Sequence, residues 1–472
     1  MTPPAARDPG SRTTPAASPR PAGSLELAQR ALDLTQIGEG AVVTVTRERS
    51  LMLRYARSRP TQATAIDDLT VDVAVLRGGR VGSASTNGTD ADSLRRCAAE
   101  ALAAAEAMAR SGGDGRYPGF PSPGPIRPSA PPDPDTARLD PARGGEALAT
   151  AFGVAERRGV EAHGTWTVGE VESAVASSTG VAASETVTDA FMKVVCIAPS
   201  GRSGYASAAG SAMAALDPAQ LAESAAAKAA ASGEPVRLPP GEYPVVLDRS
   251  AVSELLSMLA WHTFNGLAYL EERSAFSGRL GRRVAAPAVN LSDSPRYSGT
   301  LPRGFDAEGV PKAPLPIIQD GVAMSVVHDT RTAATAGTTS TGHASAPGGS
   351  PYGPLPTNLV LVGGGAQDVD ELARPIERGV YVTRLWYVNA VRPKETLLTG
   401  VTRDGTFLIE DGRIGRPLVD MRFTDSALGL LERTQALSRD SRLTSDGEFY
   451  GRRFACGVVC PALRAASMRF TG

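Results

Sequence analysis

Histidine is scarce in this chain and long apolar runs are missing. The four imidazoles, His163, His262, His328 and His343, include no two at the spacing of adjacent helical turns, so no paired set of helical zinc ligands can be assembled from them. No stretch reaches the roughly 20 consecutive apolar residues that a bilayer-crossing helix requires, which excludes a helical membrane span. Cysteine is sparse too: Cys97, Cys196, Cys456 and Cys460 form no CxxC pair. Buried free thiols in a reducing cytoplasm are therefore expected rather than a disulfide framework. Excess charge is absent, with 49 Lys+Arg against 50 Asp+Glu and a net charge of −1. A general nucleic-acid binder needs a positive field to displace counterions, so that class is set aside. Residues 1–23 are rich in Pro, Ala, Ser, Thr and Arg and lack an apolar core, which predicts a disordered tail on a soluble protein rather than a secretion signal.

Two domains are the natural reading of 472 residues. From Ser24 a helix is expected, with Leu25, Ala28, Leu32 and Ile37 on one stripe, then strands near Val42–Val45, Ser50–Tyr55 and Leu69–Leu76. A glycine turn leads to GRVGSAS, Gly79–Ser85, and to an alanine-rich helix capped by Asp92 or Ser93. GRSGYAS, Gly201–Ser207, repeats this pattern 122 residues later, after the apolar strand Phe191–Ala198 and before a helix capped near Asp217. Two copies of a helix, strand hairpins and a helix are inferred over 24–110 and 143–232, within an N-terminal α+β domain of residues 24–240. Between the copies, residues 112–135 are proline-rich and read as an extended connector over the surface. The repeated glycines serve tight turns or a close backbone approach; acceptance of a peptide as an extra strand is the alternative.

Residues 241–472 read as a β-rich domain, barrel- or sandwich-like. Pro244–Leu247 is a strand, Asp248 or Ser250 caps a helix, and Val252, Leu255, Leu256 and Leu259 form its buried stripe. A hairpin is expected around Asp320-Gly321. The loop Arg331–Pro354 is long and polar, and its Ser340, Thr341, His343 and Ser345 raise the idea of a nucleophile with a base, though no orienting third group is visible. Gly379–Ile414 opens with a β-branched and aromatic run, Val380–Val391, read as a strand covered on both sides. Arg384, Trp386, Asn389 and Arg392 on that run are candidates for substrate or partner contact, because polar groups on a covered strand need partners; pairing within the sheet is the equal alternative. Asp404-Gly405 and Asp411-Gly412 both read as hairpin turns. The last apolar segments are Leu428, Leu430 and Leu431 at helical spacing and a closing strand Gly457–Phe470.

The block Gly379, Arg384, Trp386, Tyr387, Thr399, Gly400, Arg403, Asp404, Gly405, Ile409, Glu410 and Gly412 resembles the C-terminal domain of the TldD/PmbA family of metallopeptidase-related proteins. A second block, Phe305, Asp306, Glu308, Gly309 and Pro311 followed by Ile317, Ile318, Asp320 and Gly321, is similar to the same family. In the family's catalytic branch the first helix of this domain carries HExxxH, two zinc ligands and a base. Counting back from Phe276-Ser277-Gly278, the resemblance places that motif on residues 257–262 here, so that Ser257 and Met258 stand where a ligand and the base would be and only His262 remains. The cysteine that completes the family's metal site also has no counterpart. The resemblance therefore implies the PmbA (TldE) branch: no metal in this chain, zinc in a TldD-like HExxxH-bearing partner, and unfolded or modified peptides as substrate. A standalone peptide or small-molecule binding protein and an amidase-type hydrolase using the Ser/Thr/His loop stay open as alternatives.

Overall fold

The computed structural model describes residues 23–36, 38–112, 116–231, 233–445 and 451–472. The expected tail up to residue 22, Ile37 of the first stripe and residues 113–115 of the connector lie outside the described residues. The first copy of the repeat runs α1 (Ser24–Asp33), β1 (Gly40–Ala56), β2 (Arg59–Arg77), β3 (Arg80–Thr86) and α2 (Ala91–Ser111). After a short turn, α3 (Pro134–Ala137), the second runs α4 (Pro141–Arg157), β4 (Glu161–Ser177), β5 (Ala182–Ile197), β6 (Ser203–Gly210) and α5 (Pro218–Ala229). The strands form one antiparallel sheet in the order β3-β2-β1-β4-β5-β6, so the copies meet at β1 and β4. The helices cover one face, burying Val43, Val45, Val71 and Val73 of the first copy and Trp166, Met192 and Val194 of the second.

Two details of the first copy differ from the sequence reading. The segments expected as separate strands within residues 42–55 are one strand, because the charged residues between them are paired across it: Arg47 with Asp67 at 3.3 Å and Arg49 with Glu170 at 3.2 Å. The cap of α2 is Asp90, whose carboxylate accepts from the amides of Asp92 and Ser93, two residues before the earlier of the two caps expected. The repeated glycines divide their work. Gly79 and Gly201 hold positive φ of 72° and 82° in the turns. Gly82 and Gly204 instead let a helix lie on the strand: a Cβ would come within 2.1 Å of the Ala105 amide nitrogen at one and of the Ala225 carbonyl at the other.

The connector runs extended over the surface as expected, except at two aromatic residues that turn inward. Tyr117 and Phe120 are buried against the sheet's second face, beside Val42, Ala74, Val175 and Phe305. That face meets the C-terminal domain, whose elements are β7 (Gly241–Leu247), α6 (Arg249–His262), α7 (Gly266–Leu270), β8 (Leu291–Asp293), β9 (Leu315–Gln319), β10 (Val322–Ala323), α8 (Thr330–Ala336), β11 (Asn358–Leu361), α9 (Val369–Ala373), β12 (Arg378–Arg392), β13 (Leu397–Glu410), β14 (Arg413–Pro417), β15 (Arg422–Ser426), α10 (Ala427–Glu432), β16 (Thr434–Leu437), β17 (Arg442–Thr444), β18 (Gly457–Cys460) and β19 (Leu463–Phe470). One sheet runs β10-β9-β8-β11-β18-β17. In the other, β12-β7-β19-β15-β13, the pairing of β13 with β12 returns the path to its start, so the strands close a ring. The closing strand expected over Gly457–Phe470 is two strands in different sheets; the chain changes sheet at Pro461, which has no amide hydrogen to give. Asp411-Gly412 is a hairpin turn with φ of 48° and 75°. Asp404-Gly405 is not: it is a bulge inside β13, where the register with β12 slips between Val382 and Arg384. The covering of β12 is also partial, since Gly379–Thr383 are buried but Tyr387 and Val391 are exposed.

Candidate functional site

Asp248 caps α6, and Val252, Leu255, Leu256 and Leu259 fix the helix in the core. Ser257, Met258 and His262 are half-buried, Met258 against the core, and exposed Trp261 beside them stands edge-on to Tyr352 with ring centroids 6.3 Å apart. Burial, and then the nearby Arg273 charge, lower the pKa of His262. A hydroxyl, a thioether and one imidazole do not make a zinc site, which takes about three nitrogen, thiolate or carboxylate ligands. Among the described residues no cluster of His, Cys, Asp and Glu supplies such a set.

Of the four contact candidates, the structure joins two. The β13 bulge aims Asp404 back at β12, where its carboxylate accepts from Arg384 Nε at 2.8 Å and from the Ser203 hydroxyl of β6. The Arg384 guanidinium lies between the rings of Tyr205 and Trp386, at 4.3 and 4.6 Å from their centroids. Arg384 thus pins the C-terminal domain to the N-terminal sheet, and Trp386 Nε1 is buried beside it without a hydrogen-bond partner. Asn389 and Arg392 stand apart on the exposed end of β12. Asn389 donates to the Tyr387 carbonyl of its own strand, and Arg392 pairs with Glu395 at 3.0 Å.

The resemblance block at Phe305–Pro311 leads into an interior where Asp293, Asp306, Glu308 and Lys312 are all buried. Lys312 Nζ lies 3.4 Å from Asp293 Oδ1 and donates to the Gly342 carbonyl; His343 Nε2 lies 3.2 Å from the same Asp293 oxygen. Burial opposes the ionised Asp293, but Lys312 and His343 outweigh it and hold the carboxyl well below its usual range. Burial, and then the Lys312 charge, push His343 down. His343 Nδ1 meets Thr341 Oγ1 at 2.9 Å, the contact the Ser/Thr/His loop suggested. The Thr341 hydroxyl is also engaged by the amide and carbonyl of His328, and the imidazole is fully buried. Such an arrangement braces the loop and takes Thr341 out of play as a nucleophile; Ser340 donates to the His328 carbonyl, and exposed Ser345 donates to the Gly353 carbonyl rather than to the imidazole. Beside it, burial pushes Asp306 and Glu308 up, and the Asp306 charge raises Glu308 further. Glu308 accepts from Tyr117 Oη at 2.9 Å, which ties the connector to this network.

Sequence reasoning missed Lys312 and Asp293, since neither stands in a periodic or spaced pattern. It also missed Arg453, buried at the domain seam, which forms two parallel bonds to Asp189 at 2.7 and 2.8 Å and whose amide donates to Glu48. Between the sheet's second face and this network lies a cavity of about 390 Å³, walled by Thr44, Asp72 and Ser83 on one side and by Arg303, Lys312 and His343 on the other. Arg452 at its rim pairs with Asp72 at 2.8 Å, and Arg303 lies over the Phe454 ring. Its size and mixture of polar and apolar walls suit a small ligand or part of a peptide.

Three family profiles match the chain: the PmbA/TldA metallopeptidase domain 1 at residues 41–105, the central domain at 131–232 and the C-terminal domain at 240–472. A metalloprotease of Methanothermobacter thermautotrophicus is 27% identical over 206 residues, 43% of this chain and 44% of that protein. A Haemophilus influenzae protein named metalloprotease TldD homolog is 27% identical over 243 residues, 48% of each chain. The matched regions thus span less than half of these curated relatives. The crystal structure of TldE from Thermococcus kodakarensis superposes with a TM-score of 0.82 at 20% identity, covering 94% of this chain and 99% of that one, a likeness of fold.

Proposed function

Because the chain belongs to the PmbA/TldD metallopeptidase family, we propose that it is the noncatalytic subunit of a heteromeric zinc peptidase that processes unfolded or modified peptides. The metal and base come from a TldD-like partner bearing HExxxH. The observation that supports this reading is α6: the helix is capped and packed into the core, yet it carries Ser257, Met258 and His262 where the resemblance would place the motif. A scaffold kept without its ligands fits a subunit that walls a chamber and positions substrate, since orientation alone contributes to rate when another chain holds the reacting groups. Four free cysteines suit work in the reducing cytoplasm.

The 390 Å³ cavity favours a second reading, a standalone binding protein for a peptide or small molecule. Affinity purification of the tagged chain from its own host, with zinc quantified in what co-purifies, separates the two. Recovery of a zinc-loaded homologue with HExxxH is the expected result; a zinc-free chain without a partner would overturn the subunit reading and favour the binding protein.

A further inference from the structure

The cavity between the sheet and the C-terminal domain has a floor and a roof of different character. Its floor is the sheet's second face, where alternate residues of neighbouring strands bring Thr44 and Thr46 of β1, Ser83 of β3 and Ser173 of β4 to one surface. Among the described residues none of these four hydroxyls has a hydrogen-bond partner. The roof carries cations, and most are matched: Lys312 by Asp293, Arg452 by Asp72 and Arg453 by Asp189. Arg303 is the exception. It is half-buried, its guanidinium lies over the Phe454 ring at 4.4 Å, and Nη2 donates to the Ala455 carbonyl at 3.0 Å, with no carboxylate at ion-pair distance among the described residues. Most of its five N–H donors are thus uncommitted. The acids of the walls are turned elsewhere. Glu185 accepts from Ser129 Oγ and the Gly304 amide, and Asp306 accepts from the amides of Glu308, Val310 and Ala344, while burial shifts Asp306 toward its neutral form.

We propose that this cavity binds a small organic carboxylate, with its head on Arg303 and the floor hydroxyls and its apolar body against Val175, Phe305 and Phe454. A planar fork of N–H donors matches the two oxygens of a carboxylate, and serine and threonine hydroxyls donate to the lone pairs left over. One uncommitted cation suits one negative charge; a phosphate dianion would bring a second charge with no counterpart. The volume of about 390 Å³ admits a ligand of amino-acid or short-peptide size. The inference deepens the second reading, from which it takes the cavity, and does not require the chain to act alone.

Calorimetric titration of the purified full chain tests it with two probes, each against its uncharged primary amide: N-acetylphenylalanine, which ends as a peptide does, and 4-phenylbutyrate, a free acid without a peptide group. At least one acid is expected to bind, about tenfold or more tighter than its amide. Tighter binding of N-acetylphenylalanine assigns the site to a peptide C-terminus, and tighter binding of 4-phenylbutyrate to a free acid; both support the proposal. Arg303→Met should weaken the acid by about tenfold to a hundredfold and leave the amide unchanged, with the melting temperature as the folding control. Thr44→Val, on the opposite wall, should weaken it by roughly threefold to tenfold. Acids that bind no tighter than their amides, or acid binding that survives Arg303→Met, would overturn the proposal. Co-purification of a zinc-loaded partner decides the subunit reading separately, so the two can fail independently.

Discussion

Lys312 and Asp293 share an interior that neither could occupy alone. Replacing Lys312 with Met leaves a buried carboxylate facing only His343 and the Asn358 amide, so Lys312→Met should lose about 3–5 kcal/mol in urea unfolding. Asp293→Asn in the same background should return part of it. His343, faced by Asp293, Lys312 and Thr341, gives a pH signature. Its folded pKa lies below the ordinary 6.5, so the unfolded chain binds a proton that the folded chain refuses. Its contribution is complete above pH 6.5 and is lost as pH falls below that value toward the folded pKa. The fall of melting temperature below pH 6.5 should be shallower in His343→Gln, though not abolished, because burial lowers His262 and His328 in the same sense. These residues were hard to read because their partners come from separate segments, and a lone Asp or Lys carries no periodic mark of burial.

At the scale of elements, the glycine pairs make the sharpest prediction. Gly204→Ala drives a methyl into the Ala225 carbonyl of α5 and should cost at least the ~1–3 kcal/mol of an overpacked site. Gly201→Ala meets no atom within 4 Å and bears only the strain of its positive φ; chemical denaturation of the two variants should rank them in that order. The helices, the repeat and most hairpins were legible from alternation, caps and turn residues, since each is decided within a dozen neighbours. The Asp404-Gly405 bulge was not, because a pair that favours positive φ serves a turn or a bulge equally, and only the strand alongside chooses. The split of β12 into covered and exposed ends likewise depends on where the other domain stops. That is why Arg384 and Trp386 gather at the seam while Asn389 and Arg392 remain outside it.

Across the whole molecule, the seam rests on few ions. Arg453 joins the C-terminal domain to Asp189, Thr167 and Glu48 of the sheet, with side chains almost wholly buried. Arg453→Met should destabilise the chain by about 3–5 kcal/mol and divide its calorimetric melting into two transitions, one per domain. The ring of the C-terminal domain has a temporal side. β7 finds its partners β12 and β19 only about 130 and 220 residues further along the chain, whereas every strand of the first sheet meets a neighbour formed shortly before or after it. On the ribosome the duplicated sheet can be finished while β7 still waits with both edges bare. Such late closure makes the C-terminal domain the slow step of folding and the interval in which the nascent chain is open to aggregation or chaperone capture.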